Sequence, residues 1–228
     1  MNKVNLKKIY TKYKRFFCPL LYGINRLFGV RIRNRGKNNR VQGLSHSILR
    51  KTHIHISGND NEVIFGNMTS AHGVSISIHG NHNRLIFGDR NYLVGCGFFV
   101  EDDCNRVELA EHVYVYSKTE ISAIEGTEVY IGKDSLLSAN IMIRTGDSHV
   151  IFDNTTGERV NDSANISIHD HVWLGNGCKV LKGSQIPADC VIAAGAIVTH
   201  NCPDETNVVL GGIPAKILRR GIGWNNIR

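Results

Sequence analysis

The sequence predicts an all-β solenoid, and two periods carry that prediction: six residues near the C-terminus and 22 residues upstream. Between Ile168 and Thr199 every sixth residue is aliphatic: Ile168, Leu174, Val180, Ile186, Ile192 and Val198. Two places before each of the last five stands a small or slender residue: Val172, Cys178, Ser184, Cys190 and Ala196. Six residues turn an α-helix through about one and two-thirds turns, so this period draws no stripe on a helix. It does make one short strand and one corner. Three such sides close a triangular coil with the paired residues inward. A narrow core of this kind admits mostly Ile, Val and Leu, in keeping with an aromatic content of 7%.

The longer period begins at Val30. Ile32, Ile54, Ile76 and Phe98 lie 22 residues apart, as do Gly36, Gly58 and Gly80, and Asn39, Asn61, Asn83 and Asn105. GKNNRV, GNDNEVIFG, GNHNRLIFG and DDCNRVELA are one unit written four times. Each coil is therefore expected to hold a strand, a G-N-x-N turn and a second strand. Glycine supplies positive φ at the corner, and asparagine tolerates the left-handed region while bonding nearby backbone. Stacked about 4.8 Å apart, such asparagines favour an amide ladder.

From Leu109 the pattern reads as hexads through Val115, Ile121, Ile131, Leu137 and Ile143. The next position in phase should be aliphatic but is His149. The rhythm then vanishes for sixteen residues, VIFDNTTGERVNDSAN, and resumes at Ile166 and Ile168. A polar, turn-rich excursion from a rigid solenoid is a place to expect function.

Both ends lie outside the repeats. In residues 1–29, Leu6, Ile9, Tyr13, Phe16, Phe17 and Leu20 recur at three- and four-residue steps, predicting a basic amphipathic helix up to Pro19. Three readings stand: peripheral docking on an anionic membrane or polymer, a cap on the open solenoid, and a disordered segment. Pro203 and Pro214 break the repeat, and the tail is expected to cover the last coil. The domains are thus 1–29, a β-helix over 30–205 with an excursion at about 150–165, and a cap over 206–228.

Composition limits the partners. The net charge is +7, but residues 1–40 hold twelve Lys or Arg and no acid, so the remainder carries 15 − 20 = −5. Binding of nucleic acid by the whole chain is not expected. No apolar run of about 18 residues occurs, and FFCPLLYG is short and interrupted by Pro19, so neither a membrane span nor a signal peptide is read. Six cysteines without a CxxC pair read as reduced thiols of a cytoplasmic protein, with peripheral placement at the inner face of the membrane the variant that the basic segment suggests.

Three blocks carry a resemblance: DSHVIFDNTTGERVN (147–161), ISIHDHVWLGNGCKVLKGSQI (166–186) and AAGAIVTHNCPDETNVVLGGIPAKILR (193–219). In these the chain resembles the hexapeptide-repeat acyltransferases, and within them the galactoside, maltose and capsular-polysaccharide O-acetyltransferases. The resemblance implies a left-handed parallel β-helix, a homotrimer with active sites between subunits, acetyl-CoA as co-substrate, no metal and a carbohydrate acceptor. It implies that His149 is the general base, with Asp147 a candidate to orient it, and that Trp173 lines the acceptor pocket. Asn176, Ala194 and Thr199 match positions that contact the pantetheine or phosphates of CoA, and Lys216 and Arg219 match the basic pair near its adenosine phosphates. His200, Gly211 and Pro187-Ala188 depart from the family pattern in the CoA groove.

Other readings remain at this point. One is N-acetylation of a nucleotide-linked amino-sugar. Another is a non-catalytic carbohydrate-binding solenoid. A zinc lyase on the same solenoid could draw on His53 and His55 or His169 and His171, but alternation also places such pairs on a solvent face.

Overall fold

The computed structural model describes residues 20–25, 27 and 29–226; the helix predicted up to Pro19 lies outside them. Residues 20–25 are helical. Buried Asn25 ties this turn to the first coil, donating to the carbonyls of Leu44 (2.6 Å) and Ser47 (2.9 Å) and accepting from the Leu49 N–H (2.9 Å). No helix among the described residues is long and apolar enough to cross a membrane.

From Arg31 the chain winds as a parallel β-helix of three sheets. The first sheet stacks eight strands: Arg31–Arg35, His53–Ser57, Ser75–His79, Gly97–Glu101, Glu120–Ala123, Met142–Arg144, Lys179–Leu181 and Ile197–Val198. The second runs from Arg40–Gln42 to Gln185–Ile186, and the third from Ile48–Arg50 to a C-terminal pair, Val208–Gly212 and Ala215–Arg220. Every neighbouring pair is parallel except that last one. The aliphatic residues of both periods point inward and are buried, from Ile54, Ile76 and Phe98 to Val180, Ile192 and Val198.

The amide ladder forms as the spacing predicts. Asn61 Nδ2 donates to Asn39 Oδ1 (3.0 Å), the Asn83 N–H to Asn61 Oδ1 (2.9 Å), and Asn105 Nδ2 to Asn83 Oδ1 (3.0 Å). Thr127 ends it, its N–H on Asn105 Oδ1. The turn chemistry differs from expectation in one respect: the ladder asparagine does not take positive φ; the residue before it does (Asn38, Asp60, His82 and Cys104), joined in the fourth corner by Asp102, which stands in the glycine's place. Gly58 and Gly80 do take positive φ (128° and 136°), as expected, and glycine is needed there for space as well, since a Cβ on Gly58 would lie 1.9 Å from the Gly80 carbonyl oxygen.

Two further expectations are corrected. The coil does not shorten at Leu109. Glu120 still pairs with Met142, a 22-residue step, and the 18-residue step appears only after the excursion, where Lys179 pairs with Ile197. Leu109, Val115 and Ile121 look like hexads because two of the three sides are already six residues long; the side from the first sheet to the second keeps its extra length. The tail also does more than cover the end. Val208–Gly212 continues the third sheet in parallel register, and Ala215–Arg220 folds back antiparallel as its edge. The five described cysteines are free, and burial pushes the Cys178 thiol up to about 12.

Candidate active site

The excursion leaves the corner between the first and second sheets, after Met142–Arg144, and returns at Ile166–Ile168. Its neck is closed from within. The buried Thr145 hydroxyl accepts from the Ile124 N–H (3.1 Å) and the Thr127 hydroxyl (2.6 Å), and the Ala164 N–H reaches the Thr145 carbonyl (2.9 Å). The two ends of the excursion press together so closely that a Cβ on Gly146 would lie 2.2 Å from Ser163 Oγ. Beyond the neck the loop is a small hairpin, bridged at Phe152 and Arg159 and turned by Asp153, whose carboxylate accepts from the Thr155 and Thr156 N–H groups.

His149 stands at the foot of this hairpin. The in-phase histidine is not an inward residue: the chain has left the coil, and the side chain is exposed. Among the described residues nothing hydrogen-bonds its ring. Its backbone is held instead. Asn161, 6% exposed, donates through Nδ2 to the His149 carbonyl (2.8 Å) and to Asp147 Oδ2 (3.0 Å), and accepts the Ile151 N–H on Oδ1 (2.7 Å). Lys182, from the next coil, donates to Asp147 Oδ2 (2.7 Å) and to the Asn161 carbonyl (2.9 Å). The Lys182 ammonium, helped by Asn161, holds the Asp147 carboxyl below its ordinary value. Asp147 therefore faces Lys182 and Asn161. A second anchor joins Glu125 to Arg159 (2.9 Å) and to the Ser163 hydroxyl (2.6 Å), which lowers the Glu125 pKa, Arg159 first.

The other predicted residues lie elsewhere on the coil. Trp173 is on the outer face of the third sheet, 38% exposed, its indole N–H on Ser138 Oγ (3.1 Å). Trp224, which the sequence reading left aside, comes back from the tail to lie 6.0 Å from Trp173. It stacks on His171 at 4.3 Å and bonds the His171 carbonyl (2.9 Å). Asn176 and Ala194 are exposed on adjacent coils at the corner from the third sheet to the first, where the Gly195 N–H meets the Asn176 carbonyl (2.9 Å). Thr199 directly follows the last strand of the first sheet.

Lys216 and Arg219 are both exposed on Ala215–Arg220. Residues three apart on a strand normally face opposite ways, but a bulge at Leu218 pairs them with Gly211 and Val209, two positions of one face. Gly211 has its own reason: a Cβ there would lie 2.6 Å from Leu218 Cδ1 and 3.0 Å from Ala193 Cβ. Within one chain, then, His149 and Asp147 gather at one corner, while Trp173, Asn176, Ala194, Lys216 and Arg219 gather on the third sheet and the corner after it. The described contacts do not join the two groups. Nor, among the described residues, do three His, Cys, Asp or Glu side chains converge where they could hold a metal ion.

Comparison with known proteins bears out the family resemblance. The parallel β-helix and the blocks 147–161, 166–186 and 193–219 are similar to those of sugar and polysaccharide O-acetyltransferases. More particularly, the chain is 32% identical over 96 residues to a polysialic acid O-acetyltransferase of Escherichia coli O1:K1 / APEC, across 42% of this chain and 31% of that protein. It is 29% identical over 106 residues to a galactoside O-acetyltransferase of Lactococcus lactis, across 46% and 50%. The matches thus span a third to a half of those curated relatives. The solved structure of the polysialic acid O-acetyltransferase OatWY superposes with a TM-score of 0.76 at 27% identity, covering 86% of this chain and 92% of that one. No family model matches the sequence.

Proposed function

We propose that the chain is an acetyl-CoA-dependent O-acetyltransferase acting on a sugar hydroxyl of a bacterial surface polysaccharide or its precursor, in the cytoplasm. The observation that carries this reading is His149: an exposed imidazole whose ring is unengaged among the described residues, on a backbone locked by Asn161. A sugar hydroxyl is a poor nucleophile until its proton is being removed, and a neutral imidazole is suited to remove it. As the acceptor oxygen bonds to the thioester carbonyl carbon and the carbon–sulfur bond breaks, the proton held by His149 passes to the departing thiolate.

Acetyl-CoA supplies the acyl group, and the chain has residues that fit it. Lys216 and Arg219 on one face suit the phosphates, and the exposed Asn176–Ala194 corner and Thr199 suit the pantetheine arm. Trp173, an exposed indole with Trp224 beside it, suits the acceptor ring. The resemblance adds a homotrimer, in which the third sheet of one copy meets the loop of the next; that no described contact joins these groups to His149 within one chain supports an assembly of copies.

The test is thiol release from acetyl-CoA against a panel of sugars, polysaccharides and nucleotide-linked amino-sugars. Turnover on a hydroxyl acceptor is expected to fall by about 10²–10⁴ in His149→Ala with the fold intact. Turnover on amino-sugars alone would make the chain an N-acetyltransferase. Failure to bind CoA at all would leave a carbohydrate-binding solenoid.

A further inference from the structure

Most arginines flanking the second sheet, the loop and the cap are matched to carboxylates. Arg84 meets Glu62 (3.1 Å), Arg90 meets Glu111 (2.9 Å), Arg106 meets Glu108 and Glu128, Arg159 meets Glu125 and Arg220 meets Glu205 (2.9 Å). Arg31, Arg33 and Arg35, exposed on the first strand of the first sheet, have no carboxylate partner among the described residues. The N-terminal segment cannot supply one from its side chains, because residues 1–40 contain no Asp or Glu. The counter-charge for these three guanidiniums has to come from outside the chain.

The coils stacked on them extend the same face. In register with Arg31 lie His53 and Ser75, with Arg33 lie His55 and Ser77, and with Arg35 lie Ser57 and His79. Nine outward positions over three coils thus hold three arginines, three histidines and three serines, with no acid and no large apolar side chain. A depression of about 330 Å³ opens between Arg31, Arg33, His53, His55, Ser75 and Ser77. The face measures about 13 Å along the strand and about 10 Å across the coils, larger than a single small anion. The column that starts at Arg33 continues in register through Phe99 and Ser122 to Arg144; on the flanking columns the acid-free face ends at Glu101 and Glu120. Arg144 donates to Ser148, the neighbour of His149 (2.6 Å).

We propose that this face docks an extended carboxylate-bearing glycan. Arg31, Arg33 and Arg35 pair with its carboxylates, while His53, His55, His79 and the serines offer polar groups to its hydroxyls. The column leads up the first sheet toward the level of His149, about 24 Å away across five coil spacings. That this glycan is also the acceptor rests on the function proposed above; the docking itself does not. Hydroxyl-bearing side chains, and the lack of apolar side chains at these nine positions, favour a glycan over a lipid surface.

The experiment is affinity electrophoresis of the full chain through gels containing polygalacturonate, with neutral dextran gels as control. The wild-type chain is expected to be retarded by polygalacturonate alone, less so as salt rises. Arg31→Ala/Arg33→Ala/Arg35→Ala is expected to bind roughly tenfold more weakly or worse, with an unchanged melting temperature. The charge-matched variant Arg84→Ala/Arg90→Ala/Arg106→Ala should stay within about twofold of wild type, since those arginines are already paired. Equal losses in both triples, or no loss in the first, overturn the proposal. So does a first triple that releases anionic phosphatidylglycerol vesicles yet still binds polygalacturonate. Binding without acetyl-CoA turnover on any glycan would sink the proposed activity and leave the docking face standing. Turnover on a glycan polymer, together with equal retardation of wild type and the first triple by polygalacturonate, would do the reverse.

Discussion

The coils before the excursion and those after it solve the same closure problem with different chain lengths. In an early coil the first and second sides each bury two residues, Ile76 with Ile78 and Leu85 with Phe87, while the third buries Leu93. In a late coil each side buries one aliphatic residue, Val180, Ile186 and Ile192, with the small Cys178, Ser184 and Cys190 at the corners. Phe87 to Leu93 and Ile186 to Ile192 are both six residues, so that side is nearly constant. The corner between the first and second sheets absorbs the difference. In early coils it holds G-N-x-N and an amide ladder; in late coils it holds one serine, whose hydroxyl reaches the Leu181 carbonyl (2.6 Å). At the change from wide to narrow, the same corner releases the loop that carries His149. The sides are fixed by stacking, and the corner is where length, polarity and chemistry vary.

The largest stability difference between the two corners should come from their polar groups. Asn83→Ala removes the acceptor of the Asn105 N–H and the donor to the Asp102 carbonyl, both inside the wide corner. We expect a loss of about 3 kcal/mol in denaturant unfolding, against under about 1 kcal/mol for Ser184→Ala. Equal losses would mean that the ladder is decoration and that the wide corner is held by its apolar residues alone.

A smaller effect, on rate and not on global stability, is expected at the loop. Asn161→Ala frees the His149 carbonyl and the Ile151 N–H together. It should lower kcat on the acceptor about tenfold while leaving the KM for acetyl-CoA unchanged. An unaltered kcat would show that the neck positions His149 without Asn161.

The smallest effect is the pH response of the anchors. Asp147 and Glu125 both have folded pKa values below their ordinary 3.8 and 4.5. Their contribution is therefore complete above those ordinary values and is lost as pH falls through the lowered ones. Limited proteolysis within 150–160 by an acid protease should rise below about pH 4 in the wild type, and Asp147→Asn should flatten that response. A rise that begins near neutrality would point to other groups.

Much of this architecture was legible in the sequence because a solenoid repeats its own instructions. Ile54, Ile76 and Phe98, or Val180, Ile186 and Ile192, each state the same inward position, so no long-range pairing has to be guessed. His149 was legible through a broken rhythm and the flanking D-S-H block. Its supports were not. Asn161 and Lys182 reach Asp147 from 14 and 35 residues away, and Glu125 reaches Ser163 across 38, all brought together by stacking across the neck. Nor does the tail's spacing announce that Leu218 bulges or that Trp224 returns to His171. Leu109, Val115 and Ile121 do not mark the change of coil length because they sample only the two sides that are already six residues long in that coil.

The in-register stacking makes this molecule a length gauge. Each coil rests on its neighbours alone, so coil number, not core composition, sets the separation between the unpaired arginines of the first strand and the histidine loop of the sixth coil. Excising one 22-residue unit, such as 53–74, would leave the cross-section closed and bring those two features nearer by one strand spacing, about 4.8 Å. Chains built on this plan can thus acquire a longer or shorter reach in whole increments, without redesigning either end.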